Sequence, residues 1–356
     1  MRNLGRRLQA VWLFVVFATF CLLAYTFVKR YSHENAWDWV FAFLGVILGA
    51  TAVAVLHPVF HELGHVIFGK IAGLQLMAFR AGFVIYHQGK LRLAPFTFGG
   101  ECVMLPKGEK NAAKKRRIFA WGGIVGSAIF CFSLLWSPFA VWLSAPVYAG
   151  LTTATLYAVY ELISNLFPSE GREKTDGEVL IASYKNTDVS VVETAVFAAQ
   201  SVFVTGKTPA DIPRDLLYEL PVISEGEEAF ALLTHLRLLR AILCEERAEM
   251  EAQLLRAEGL LDGASTPAYR SLLSEIVFGY SLLNDTAKAE EYYAELTSEE
   301  DWFLPARYRA EAAYNRYIQQ DETACESAKT HALQMMETLP LTGEKETEER
   351  LLSLVE

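Results

Sequence analysis

Residues 61–65 read HELGH. Side chains at i and i+4 share one face of a helix. His61 and His65 would therefore present two imidazoles to one point, with Glu62 beside them. Two histidine ligands, a glutamate base and an open coordination position form the arrangement of zinc peptidases. Zinc held this way lowers the pKa of a water from 15.7 to about 7 and so supplies a nucleophile at neutral pH. A bare HExxH also recurs by chance on ordinary polar helix faces. This one closes an apolar run, WDWVFAFLGVILGATAVAVLHPVFHELGHVIFG. An ionisable group inside such a run costs about 3 kcal/mol at mid-membrane and is seldom kept without a use. Three in five residues are hard to explain as decoration, and metal binding would offset the cost. Two histidines do not complete a site, so a third protein ligand is expected.

Stepping outward, the elements that must position HELGH are apolar. Four segments are long enough for a bilayer, which takes about 20 helical residues. They run over about 10–28, 37–72, 118–143 and 146–166. No small-residue cleavage site follows the first, which reads as an anchor that stays. Arg2, Arg6 and Arg7 precede it, and the loop 107–117, KGEKNAAKKRR, carries six Lys/Arg. Positive loops stay in the cytoplasm. Both groups then give one topology, with the N-terminus, loop 73–117 and C-terminus inside. Pro58 removes a backbone donor within the second segment, so a kink or a helix restart is expected there. The loop after it mixes β-branched, aromatic and Gly residues and reads as two to four short strands.

The fourth segment ends ELISNLFPSEGREKTDG. HExxH in one span, with N-x-x-P and DG at the end of a later one, resembles the site-2 protease family of intramembrane zinc metalloproteases. The resemblance covers about residues 37–180. It implies that Asp176, before Gly177, is the third zinc ligand beside His61 and His65. It implies that Glu62 is the base, and that Asn165 lines the active site and helps position substrate or the oxyanion. Glu170 and Glu173 are nearby carboxylates, and the stretch from Pro168 to Asp176 is longer than the family's common form. FGG at 98–100 resembles the family's Gly-rich membrane-associated hairpin. WGGIVGS at 121–127 resembles its close-packing glycine stretch. His57, one turn before His61, is expected to serve the bend or the ligands rather than the metal. Glu161, one turn before Asn165, lies close enough to the span end to reach water.

The remaining sequence is different in kind. The chain has 356 residues and is 52% hydrophobic. Residues 1–177 hold 17 Lys+Arg against 9 Asp+Glu, and residues 178–356 hold 15 against 33. A basic apolar half followed by an acidic half suggests a membrane domain joined to a soluble one. The acidic half argues against nucleic acid as a partner. The five cysteines form no CxxC pair and read as reduced packing residues. Helix pairs are expected at 226–243 with 246–260, 267–283 with 286–297, and 304–319 with 322–338. Their spacing of about 35 residues suits tetratricopeptide-like hairpins, although most signature residues are missing. Asp188 reads as an N-cap, and the charged stretch after Pro340 as a frayed tail.

The expected fold is thus mainly α. An N-terminal anchor (1–36) precedes a polytopic membrane core with a small β-hairpin region (37–180). An all-α helical-repeat domain (181–340) and a charged tail (341–356) follow. The expected function is zinc-dependent hydrolysis of a peptide bond in a transmembrane protein or peptide, within a bacterial cytoplasmic membrane. The bilayer is an expected partner, and so is a protein bound on the repeats. The alternative is an inactive, membrane-tethered helical-repeat scaffold.

Overall fold

The computed structural model describes residues 36–356 except 88–89, 141, 169–173, 262–266 and 299–304, together with part of 11–31. The anchor expected at 10–28 lies largely outside the described residues. The chain is mostly helical, with one two-stranded antiparallel sheet. It divides into two compact units. One comprises Met1–Met104 with Ala113–Lys185, the other Leu105–Ala112 with Asn186–Glu356. The boundary falls at 185 rather than 180, and the segment 105–112 joins the second unit.

In the first unit, helix α1 (Ala36–Ile71) carries HELGH in its last third. It passes through Pro58 as one helix of 36 residues, about 54 Å at 1.5 Å per residue. The expected restart does not occur. Gly73, with φ of +77°, ends the helical run and turns the chain into the sheet. Strands β1 (Leu74–His87) and β2 (Lys90–Pro106) form that sheet. The two strands fall within the two to four expected, but at 14 and 17 residues they are long rather than short. Helices α2 (Ala112–Leu134), α3 (Ala145–Leu166) and α4 (Asp176–Lys185) complete the unit.

Among the described residues, two helical stretches, Trp37–Ile71 and Ala112–Phe139, are long and apolar enough to cross a membrane. Of the other two expected spans, one is the largely undescribed anchor. The other, α3, has the length but is diluted by threonines, tyrosines, Glu161 and Asn165. Its threonines partly face inward. Thr155 Oγ1 lies 2.6 Å from Ser137 Oγ and donates to the Leu134 carbonyl at 2.9 Å.

The helices of this unit approach along glycines, as expected where small residues let backbones touch. A Cβ on Gly45 would strike the Pro146 carbonyl, and one on Gly49 the Gly150 carbonyl, which fixes α1 against α3. Further along, Gly64 meets the Gly122 carbonyl and Gly126 meets the Phe60 carbonyl, which fixes the HELGH turn against α2.

The second unit is helical among its described residues. Helix α5 (Asp188–Ala199) is capped by Thr187, whose hydroxyl accepts from Ser190 N at 3.3 Å. Asp188 is not the cap. It lies in the first turn, where a carboxylate favours the helix dipole. Then come α6 (Glu228–Leu243), α7 (Arg247–Leu261), α8 (Pro267–Leu283), α9 (Thr286–Ser298), α10 (Pro305–Tyr314) and α11 (Glu322–Met336). Each pair packs together, around one core that includes Leu238, Leu254, Ile276, Phe278 and Ala310. The charged stretch after Pro340 is no frayed tail. Helix α12 (Thr342–Leu352) buries Thr347, Leu351 and Leu352.

Candidate metal centre

His61 and His65 stand one turn apart on α1, and Asp176 opens α4. Their nearest ligand atoms converge. His61 Nε2 and His65 Nε2 are 3.2 Å apart, and Asp176 Oδ2 lies 3.5 Å and 3.3 Å from them. The group has the composition and spacing to hold a metal ion.

The local sequence explains how Asp176 arrives there. Thr175 caps α4, its hydroxyl accepting from Glu178 N at 3.2 Å and donating to the Phe167 carbonyl at 3.0 Å. Gly177 lies so close to the Leu166 carbonyl that no Cβ would fit. The DG pair therefore presses the first turn of α4 onto the end of α3. Asn165, on that last turn, donates from Nδ2 to Asp176 Oδ2 at 2.9 Å and accepts from Asp176 N at 3.2 Å. The resemblance expects Asn165 beside substrate, whereas here its amide holds the carboxylate. Glu170 and Glu173, the other nearby carboxylates, lie outside the described residues.

Both imidazoles are aimed by α2. His65 Nδ1 lies 2.9 Å from the Phe119 carbonyl, and the Phe119 ring stacks on the imidazole at 4.4 Å. A carbonyl only accepts, so Nδ1 bears the proton and the neutral ring leaves Nε2 as a lone pair. His61 Nδ1 lies 2.9 Å from Ser127 Oγ, which allows the same tautomer. Two nitrogen lone pairs and a carboxylate oxygen then point at one spot, an arrangement that a shared cation relieves.

The spot is kept open by Gly123. A Cβ there would strike Asp176 Oδ2 and His65 Nε2, and would come within 2.6 Å of His61 Cε1. Tetrahedral zinc, with bonds of about 2.0–2.1 Å, sets its ligand atoms about 3.3 Å apart. The observed separations and the N, N, O donor set fit that ion.

Glu62 is buried, 7% exposed. Its carboxylate is covered by Gly100 of β2, where a Cβ would clash with Cγ and come within 2.8 Å of Oε1. Gly100 of the hairpin thus lies directly over the candidate base. His57 is buried on the same helix, its ring 6.0 Å from that of His61, and it does not belong to the ligand group.

Ser127, Gly123 and the Phe119 carbonyl were not among the site residues expected from sequence. Gly123 and Ser127 lie in WGGIVGS, so the stretch has a second task beyond close packing. No family model, curated protein or solved structure matches the chain.

Proposed function

We propose that this protein is an intramembrane zinc metalloprotease, hydrolysing a peptide bond in or near a transmembrane segment of a protein or peptide substrate. His61, His65 and Asp176 would hold the zinc, which when bound would activate water and polarise the scissile carbonyl. Glu62 takes the proton from the attacking water and passes it to the leaving nitrogen. Ser127 and the Phe119 carbonyl keep the imidazoles aimed, and Asn165 keeps Asp176 aimed. Gly100 lets an extended backbone approach Glu62. The substrate must be locally unwound, because helical carbonyls are hydrogen-bonded and shielded.

The single observation that carries this reading is the convergence of His61, His65 and Asp176, 115 positions apart at the extremes, to within 3.5 Å. The apolar helices that hold them support a membrane setting. In this reading the membrane is a bacterial cytoplasmic one, crossed four times, with both termini in the cytoplasm. The second unit is a cytosolic, tetratricopeptide-like domain that engages a protein partner. Nucleic acid has no part.

The test is cleavage of a panel of reporter membrane proteins co-expressed with the chain. Shortened products should appear with the parent and vanish with Glu62→Gln at equal expression. Products that persist with Glu62→Gln would overturn the proposed base.

A further inference from the structure

Strand β2 belongs to both units. Its residues up to Met104 group with the first, whereas Leu105–Ala112 group with the second. Consecutive side chains of a strand point to opposite faces. Gly100, Cys102 and Met104 therefore share one face, and that face meets α1. Gly100 covers Glu62, and the Met104 sulfur fills the space that a Cβ on Gly69 would need. Leu105 lies on the other face. It contributes to the wall of a cavity of about 330 Å³ in the second unit, together with Leu236 of α6, Pro305 of α10 and Thr347 of α12. Pro106, next to it, is buried.

The strand held in this way closes the candidate site. A Cβ on Gly100 would come within 2.4 Å of Glu62 Cγ. The Gly100 Cα, one bond of about 1.5 Å back, thus lies within about 4 Å of that carbon. Neighbouring extended backbones need about 4.8 Å between them, so no peptide fits between β2 and Glu62. Glu62 and His65 are only 7% and 6% exposed. A substrate reaches the base only if β2 withdraws. From Gly100 to Leu105 the chain spans at most about 17 Å, so whatever holds Leu105 limits that withdrawal.

We propose that β2 is an autoinhibitory cover over the metal centre, latched by Leu105 in the cavity of the second unit, and that release of Leu105 lets the strand lift from Glu62. The second unit then regulates the site through the chain that leaves it. The inhibitory sense rests on the protease reading, whereas the latch does not.

Cys102 reports where the strand lies. It shares the face of Gly100, and burial, followed by Glu62 and Glu101, pushes its thiol up to about 12. The thiolate is the reactive form, so a latched strand should be alkylated slowly. The test treats the full-length chain in detergent with N-ethylmaleimide and follows modification of Cys102 by peptide mass. Leu105→Asp should raise the rate about tenfold, the scale of one buried leucine. Leu105→Ala should raise it less, and it serves where the aspartate variant fails to fold. Leu105→Met keeps an apolar side chain and should stay at the parent rate. So should Val103→Ala, two residues earlier on the same face as Leu105 but 37% exposed. Cleavage of a reporter membrane protein should rise in the same order. An unchanged rate in the folded Leu105 variants, or an equal rise in Val103→Ala, would overturn the latch. Faster labelling with slower cleavage would overturn the inhibition. Faster labelling with no cleavage by any variant would uphold the latch and tell against the protease reading instead.

Discussion

Asn165 holds Asp176 at both ends. Its Nδ2 donates to the carboxylate at 2.9 Å, and its Oδ1 accepts from the same residue's backbone N at 3.2 Å. One side chain therefore sets both the position of the third ligand and the start of the helix that carries it. Asn165→Ala should weaken zinc affinity about 10- to 100-fold, the usual effect of losing a partner that orients a ligand. Competition with a graded chelator reads this directly. Unchanged affinity would return Asn165 to a substrate-facing role.

Gly123 leaves room for a shared cation and for little else. Gly123→Ala should abolish zinc binding while the helical circular dichroism stays at the parent level. By contrast, Gly126→Ala pushes directly on the Phe60 carbonyl. It should lower the melting temperature as well, because two helix backbones must separate. If Gly123→Ala bound zinc as the parent does, the ligand geometry described here would be wrong.

The histidine pair was legible in the sequence because i and i+4 spacing fixes two side chains on one face whatever the tertiary fold. The helix pairs of the second unit were legible for a similar reason, since their apolar positions recur with helical period. Other features depend on distant contacts and leave little local trace. Thr155 dilutes the apolar pattern of α3, yet its hydroxyl is spent on Ser137 and the Leu134 carbonyl. Helix α12 reads as a solvated charged stretch. It is held by Glu348, whose partner Arg309 lies 39 positions away. Arg309 itself has no exposed surface, a fate that its type does not suggest. Pro58 signals a break, but it sits inside a helix clamped by glycine contacts on both sides of it in sequence.

Arg309 joins α10 to Glu275 on α8 and Glu348 on α12. Arg309→Met would leave two carboxylates facing each other without their cation. Removing one partner of a buried ion pair costs about 3–5 kcal/mol. Denaturant unfolding of the second unit should show a loss of that order. A loss below about 1 kcal/mol, the level of a surface pair, would contradict the buried network.

Glu344 gives the second unit a pH dependence. Burial, aided by Glu348, raises its pKa from 4.5 to about 7. Folding therefore favours the protonated form. Its contribution to stability is complete below pH 4.5 and is lost as pH rises through about 7. Glu275 behaves oppositely. Burial would raise its pKa, but Arg309 and His235 pull it well below the ordinary range, so its contribution is lost only in acid. Glu344→Gln should therefore gain about 1–2 kcal/mol on the parent between pH 5 and pH 8, allowing for its partial exposure. Thermal melts of both proteins at the two pH values would show it. A constant difference would mean that Glu344 stays ionised throughout.

The most direct measurement is the zinc content of the detergent-purified parent beside His61→Ala and Asp176→Ala, each after dialysis against a weak chelator. The account predicts one zinc per chain in the parent and little or none in either variant, with all three proteins equally helical. A parent that holds no zinc even after reconstitution would contradict the central claim. Zinc retained only in Asp176→Ala would keep the metal and move its third ligand to another carboxylate.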